Sequence, residues 1–118
     1  MDLSVIVRDD TAVCRVTGDV DISCSPMLRE RLLAALGPQR TRLVLDLSGV
    51  TFMDASGLGA LMAARRRSLL LGGGMRIVAP SSPVRRVLEA SGLRSRFPVE
   101  VGARLTGPNP EIAEFAAQ

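Results

Sequence analysis

An α/β fold is predicted: a four- or five-stranded, mostly parallel sheet with an antiparallel first edge strand and helices mainly on one face. Three observations predict it. Apolar strand patterns alternate with helical stripes of about ten to fifteen residues, the arrangement whose right-handed crossovers build parallel sheets. Two strand patterns open the chain with only Asp9-Asp10 between them, so the first pairs antiparallel with the second. Ser4, Arg8, Arg15, Asp46 and Arg76 interrupt the strands at every second position. Strands covered on both faces are near-continuously apolar, so this alternation predicts a second face that is partly exposed.

Each element follows from its residues. Leu3, Val5 and Val7, then Ala12, Cys14 and Val16, alternate with their neighbours as a hairpin. Ser23 and Ser25 are cap candidates for a first helix from about Pro26 to Leu36, with Met27, Leu28, Leu32, Leu33 and Leu36 as its apolar stripe and Gly37-Pro38 as its stop. Leu43 to Leu47 reads as a strand, and Leu58, Leu61, Met62 and Leu69 recur at helical spacing from about Ser56 to Leu71 before Gly72-Gly73-Gly74. Gly57, Gly59, Ala60, Ala63 and Ala64 leave the outer face of that helix bare, so another protein's backbone can approach it; small residues of this kind serve either an interface or core packing. Met75, Ile77 and Ala79 mark a further strand. Ser81 or Ser82 caps a third helix with Val84, Val87 and Leu88 inward and Gly92 at its end. A short strand is expected around Phe97 to Val101. In the segment 104–118, Asn109-Pro110-Glu111 opens a short helix whose Ile112 and Phe115 dock on the body, or the segment is a loose tail.

The 118 residues suit one domain, 1–118, with a single core. No apolar run reaches the roughly 18 residues of a membrane span. Met1-Asp2-Leu3-Ser4 lacks the basic start and apolar block of a signal peptide, so a cytoplasmic protein without membrane insertion is expected. Cys14 and Cys24 make no disulfide framework. The 15 Lys+Arg against 12 Asp+Glu give a net charge of +3, but the basic residues are dispersed and the only aromatics are 3 Phe, so no nucleic-acid partner is expected. Arg65-Arg66-Arg67 reads as a solvated helix edge or a contact for an acidic partner.

With no histidine, the chain has neither a Ser-His-Asp triad nor a Cys-His pair, and no enzyme is predicted. Asp19, Asp21 and Asp54 fall where adjacent strands give way to helices, and three carboxylates can hold a divalent cation. Turn preferences read Asp19 and Asp21 as turn and helix-start residues instead, so no metal or cofactor is assigned. Asp54 and Ser56 lie at the strand-to-helix turn itself. One reading makes either an N-cap; the other makes the Ser56 hydroxyl a phosphate acceptor. Anion or nucleotide binding at the helix start lacks an accompanying phosphate loop.

Thr51-Phe52-Met53-Asp54-Ala55-Ser56-Gly57-Leu58-Gly59 after an apolar strand resembles the signature of bacterial anti-sigma-factor antagonists, the single-domain members of the STAS family. The resemblance extends in order to Gly18-Asp19-Val20-Asp21, Gly72-Gly73-Gly74-Met75-Arg76-Ile77-Val78, Ser82-Pro83-Val84-Arg85-Arg86-Val87-Leu88 and Ser91-Gly92-Leu93. It implies a partner that is both anti-sigma factor and serine kinase, and a protein phosphatase acting on phosphorylated Ser56. In that picture the unphosphorylated chain binds the anti-sigma factor and frees a sigma factor. Binding would use Asp19, Asp21 and Ser23 together with Asp54, Ala55, Ser56, Gly57, Leu58, Gly59 and Ala60. Many relatives place a second hydroxyl where this chain has Ala55, which leaves Ser56 as the acceptor within the motif, while Thr51 is expected to be extended and half buried. The alternative implied by the same family is a STAS subunit of a membrane transport assembly, with the serine motif serving only as a cap.

Overall fold

The computed structural model describes residues 1–92 and 99–100. Strand β1 (Asp2–Arg8) turns through Asp9, at φ 54°, into β2 (Thr11–Val20); helix α1 (Ser25–Ala35), strand β3 (Arg42–Met53), helix α2 (Ala55–Leu70), strand β4 (Gly74–Val78), helix α3 (Ser82–Ser91) and strand β5 (Val99–Glu100) follow. The strands lie in the order β1-β2-β3-β4-β5, with β1 antiparallel to β2 and every other pair parallel. The expected α/β sheet with its antiparallel first edge strand is therefore present. The segment 104–118, including Ile112 and Phe115, lies outside the described residues.

One apolar core joins the sheet to the three helices. Ala12, Cys14 and Val16 from β2, Leu43, Leu45 and Leu47 from β3, and Met75 and Ile77 from β4 meet Leu28 and Leu32 of α1, Leu58 and Leu61 of α2, and Val84 and Leu88 of α3. All three described helices thus cover the same face. Burial pushes the Cys14 thiol up to about 12, consistent with a small apolar core residue. The opposite face is more closed than its polar interruptions suggest, because Val13, Val44, Asp46 and Val78 are buried along its centre. Arg15 donates to Asp46 there across 3.1 Å, so a charge that reads as a surface mark is an interior ion pair.

Strand β3 runs 12 residues instead of ending at Leu47. Its register with β2 shifts twice, once between Arg15/Thr17 and once between Gly18/Asp19, and at each shift β3 contributes one residue more than its partner. Such bulges reset the alternation of side chains. The inward set consequently passes from Leu43, Leu45 and Leu47 to Val50 and Met53, while Thr51 and Phe52 turn outward. This re-aiming delivers Asp54 to the start of α2.

Most of the small residues of α2 serve core packing, one of the two uses open to them, and do not lie on the outer face. Gly57, Ala60 and Ala64 are buried, Ala63 is half-buried, and Gly59 is exposed. The spacing of the buried three is that of one helical stripe, and it permits close packing of α2 on α1 and the sheet end. A Cβ at Gly57 would stand 2.8 Å from Val20 Cγ1 and 2.9 Å from Met53 Cγ. At the far end of α2 the glycine run is a close fit: a Cβ at Gly73 would overlap the Thr41 carbonyl, just before β3. Met27, placed by its spacing in the inward stripe of α1, is instead exposed.

Candidate functional site

Two strand-to-helix turns leave the same edge of the sheet, because β2 and β3 are parallel neighbours. The Asp54 amide donates to the Val20 carbonyl at 3.3 Å and ties the turns together. Asp54 is the N-cap of α2, in extended backbone at φ −109° and ψ −174°. Its Oδ1 accepts the amides of Ser56 at 2.9 Å and Gly57 at 3.3 Å, satisfying helix-start donors that have no partner within the helix. The Ser56 hydroxyl donates to the same oxygen at 2.5 Å. Capping therefore belongs to Asp54, which leaves the half-buried Ser56 oxygen presented on the first turn of α2.

The second turn repeats this geometry. Asp21 Oδ1 accepts the Ser23 amide at 2.9 Å and the Ser23 hydroxyl at 2.5 Å. Neither Ser23 nor Ser25 caps α1; Cys24 occupies that position, and the Asp21 carbonyl oxygen receives the amides of Cys24 and Ser25 at 3.1 and 2.8 Å. Asp19 accepts the Thr51 hydroxyl at 2.6 Å. Thr51 is thus extended as expected but exposed where half-burial was expected, since the second bulge turns it outward. Each of the three carboxylates accepts a hydroxyl, that of Asp19 from Thr51 on the neighbouring strand, and among the described residues no group of side chains is arranged to hold a metal ion.

Hydrogen bonds set the charge state of the turn. The Ser56 hydroxyl, and then the Gly57 and Ser56 amides, hold Asp54 below its ordinary value of 3.8; partial desolvation and nearby Asp21 oppose them. Asp21 is lowered chiefly by the Ser23 hydroxyl and then by the Ser23 amide. Stability contributed by a carboxylate with a depressed folded value is present above 3.8 and is lost as the pH falls through that folded value. Asp54→Ala is accordingly expected to melt several degrees below the wild type at pH 7, with the gap closing as the pH falls below the carboxylate range. Parallel melts across pH 2.5 to 7 check this. Equal melting temperatures at pH 7 would show that the cap contributes nothing.

Of the remaining expected site residues, Asp19, Ser23, Ala55 and Gly59 are exposed and Asp21 is half-buried, while Gly57, Leu58 and Ala60 are buried and shape the turn from within. Three exposed apolar side chains near the two turns were not assigned to the site from the sequence. Ile22 is 76% exposed between Asp21 and Ser23, Phe52 is 47% exposed opposite Asp19, and Met27 is 47% exposed on the first turn of α1. Their signal was position: each is a large apolar residue flanking a turn at which the strand or helix alternation resets. A groove of about 710 Å³ between α1 and α2 adjoins the turns, lined among others by Ser25, Arg29, Glu30, Ser56 and Gly59.

Comparisons with known proteins place this arrangement. Residues 2–105 match the STAS domain family. The anti-sigma F factor antagonist of Paenibacillus polymyxa is 32% identical over 88 residues, 74% of this chain and 75% of that one. Among solved structures, the anti-sigma factor antagonist SpoIIAA in its unphosphorylated form superposes with a TM-score of 0.73 at 22% identity, covering 98% of this chain and 96% of the other. The Bacillus cell fate determinant SpoIIAA in its phosphorylated form gives 0.69 at 21% identity over 99% and 100% of the two chains. These two likenesses concern the fold. No helix among the described residues is long and apolar enough to cross a membrane. On the family match and the sequence relative together, this chain belongs to the STAS domain family and, within it, to the anti-sigma factor antagonists, regulatory proteins that are not enzymes.

Proposed function

We propose that the chain binds an anti-sigma factor with serine-kinase activity in its unphosphorylated form, and that phosphorylation of Ser56 ends this binding until a protein phosphatase removes the group. The observation that carries the reading is the Ser56 hydroxyl, held 2.5 Å from Asp54 on the first turn of α2, at an end of the sheet where Ile22 and Phe52 are also exposed. Apolar side chains around a few fixed polar groups are the composition of a protein interface core. The names of the relatives supply the class of partner.

The phosphate changes this surface without refolding the chain. A serine phosphate brings about −1.5 to −2 charges and removes the O–H that Asp54 accepts. Asp54 keeps the Ser56 and Gly57 amides, so the cap survives.

Incubation with the cognate kinase and ATP tests the assignment. Intact-mass measurement is expected to find one phosphate on the wild type and none on Ser56→Ala. A phosphate on Ser56→Ala would move the acceptor elsewhere, with Thr51 and Ser23 next in line because both hydroxyls are exposed beside the turn.

A further inference from the structure

We propose that the groove between α1 and α2 seats the phosphate of phosphorylated Ser56, with Arg29 as its counter-charge. This rests on the reading above that Ser56 is the acceptor, and it adds what the phosphate meets within its own chain. Arg29 and Ser56 line one groove although 27 positions separate them, because α1 and α2 leave adjacent parallel strands and pack side by side. Arg29 sits one turn into α1, and helical side chains lean toward the N-terminus of their helix, here the end where Ser56 lies. Gly59 keeps the path open: nothing lies within 4 Å of the position a Cβ would take there.

Arg29 is exposed, and among the described residues it makes no ion pair or hydrogen bond with a side chain, so its guanidinium is available. Its planar fork of N–H donors suits a phosphate, whose oxygens accept two parallel bonds. The opposing charges are Glu30, which lines the same groove from α1, and Asp54, Asp21 and Asp19 at the turns. With the Asp54 carboxylate beside it and no O–H left to share with that carboxylate, the phosphate is driven from the turn toward Arg29.

Phosphoserine placed at position 56 of the full chain during translation tests this without a kinase. The ³¹P shift, followed against pH, reads the second ionisation of the phosphate, which lies near 6 for an unperturbed group. Arg29→Gln is expected to make that proton bind about three- to tenfold more tightly, and Glu30→Gln to loosen it, the signs a nearby cation and anion require. Arg29→Lys should retain most of the wild-type value. Arg65→Gln, which removes the same charge farther along α2, should leave it unchanged. An ionisation unmoved by Arg29→Gln, or moved no further than by Arg65→Gln, would overturn the seat. The switch itself stands or falls on a separate readout, since a phosphorylated chain that binds its partner as tightly as the unmodified one would end that reading whatever the titrations show.

Discussion

Phosphorylated Ser56 is expected to weaken binding to the anti-sigma partner by about a hundredfold or more, and Ser56→Glu by a smaller factor, whereas Ser56→Ala binds within a few-fold of the wild type. The asymmetry follows from where the charge lands. Ser56 is half-buried on the first turn of α2, so a closing partner must strip water from the phosphate. Desolvating an ionised group without full compensation costs several kcal/mol, and each ~1.4 kcal/mol is a factor of ten in affinity. Within the free chain the opposing effects are small: the start of α2 attracts the anion by roughly 0.3 to 1 kcal/mol, and Asp54 repels it by a comparable amount. Ser56→Ala removes only a hydroxyl whose bond is internal, to Asp54. Calorimetric titration of the four forms against the purified partner measures this, and equal affinities for the phosphorylated and unmodified chains would sink the mechanism. Amide shifts that change between these two forms are expected around residues 52–61 and 19–23 and on the groove side of α1 near Arg29, and not across the sheet.

The largest stability effect is expected at a place with no part in binding. Arg15→Met should lower stability by about 3 kcal/mol, the lower end of the range for breaking a buried pair, since the Arg15 side chain keeps 25% of its exposure while that of Asp46 has none. Removing Arg15 strands the Asp46 carboxylate in the closed face of the sheet, where the Ser48 amide still donates to it across 3.0 Å but the cation it pairs with is gone. For a domain whose net stability is of order 5 to 15 kcal/mol this is a large share, and the melting temperature should fall by roughly 10 to 20 °C. The double variant Arg15→Met/Asp46→Leu should recover most of the loss, because two apolar groups replace the pair without leaving a charge behind. Thermal melts of the wild type and both variants decide it: a single variant melting with the wild type would mean that the ion pair is energetically silent.

Local periodicity made much of the fold legible. Alternation over a few residues marked each strand, the Asp9-Asp10 break marked the hairpin, and Pro26, Gly72 and Gly92 punctuated the helices. The chemistry of the signature turn was equally local, since an aspartate two residues before a serine brings its carboxylate to the following amides by its own short reach. Facing and juxtaposition were not local. The two bulges that carry β3 on to Met53 exist only in its pairing with β2, so no reading of β3 alone shows Thr51 and Phe52 turned outward. Gly57, Ala60 and Ala64 form a bare stripe in either orientation, and it is the packing of α1 and the sheet end that makes it the inner one. Asp46 looks like a surface residue until Arg15 arrives from the neighbouring strand. Arg29 and Ser56 share a groove only after two crossovers lay their helices side by side. Short-range sterics and periodicity act within a few residues and are written in the chain itself, whereas burial and charge pairing depend on which distant segment fills the space, which only the assembled sheet and helices decide.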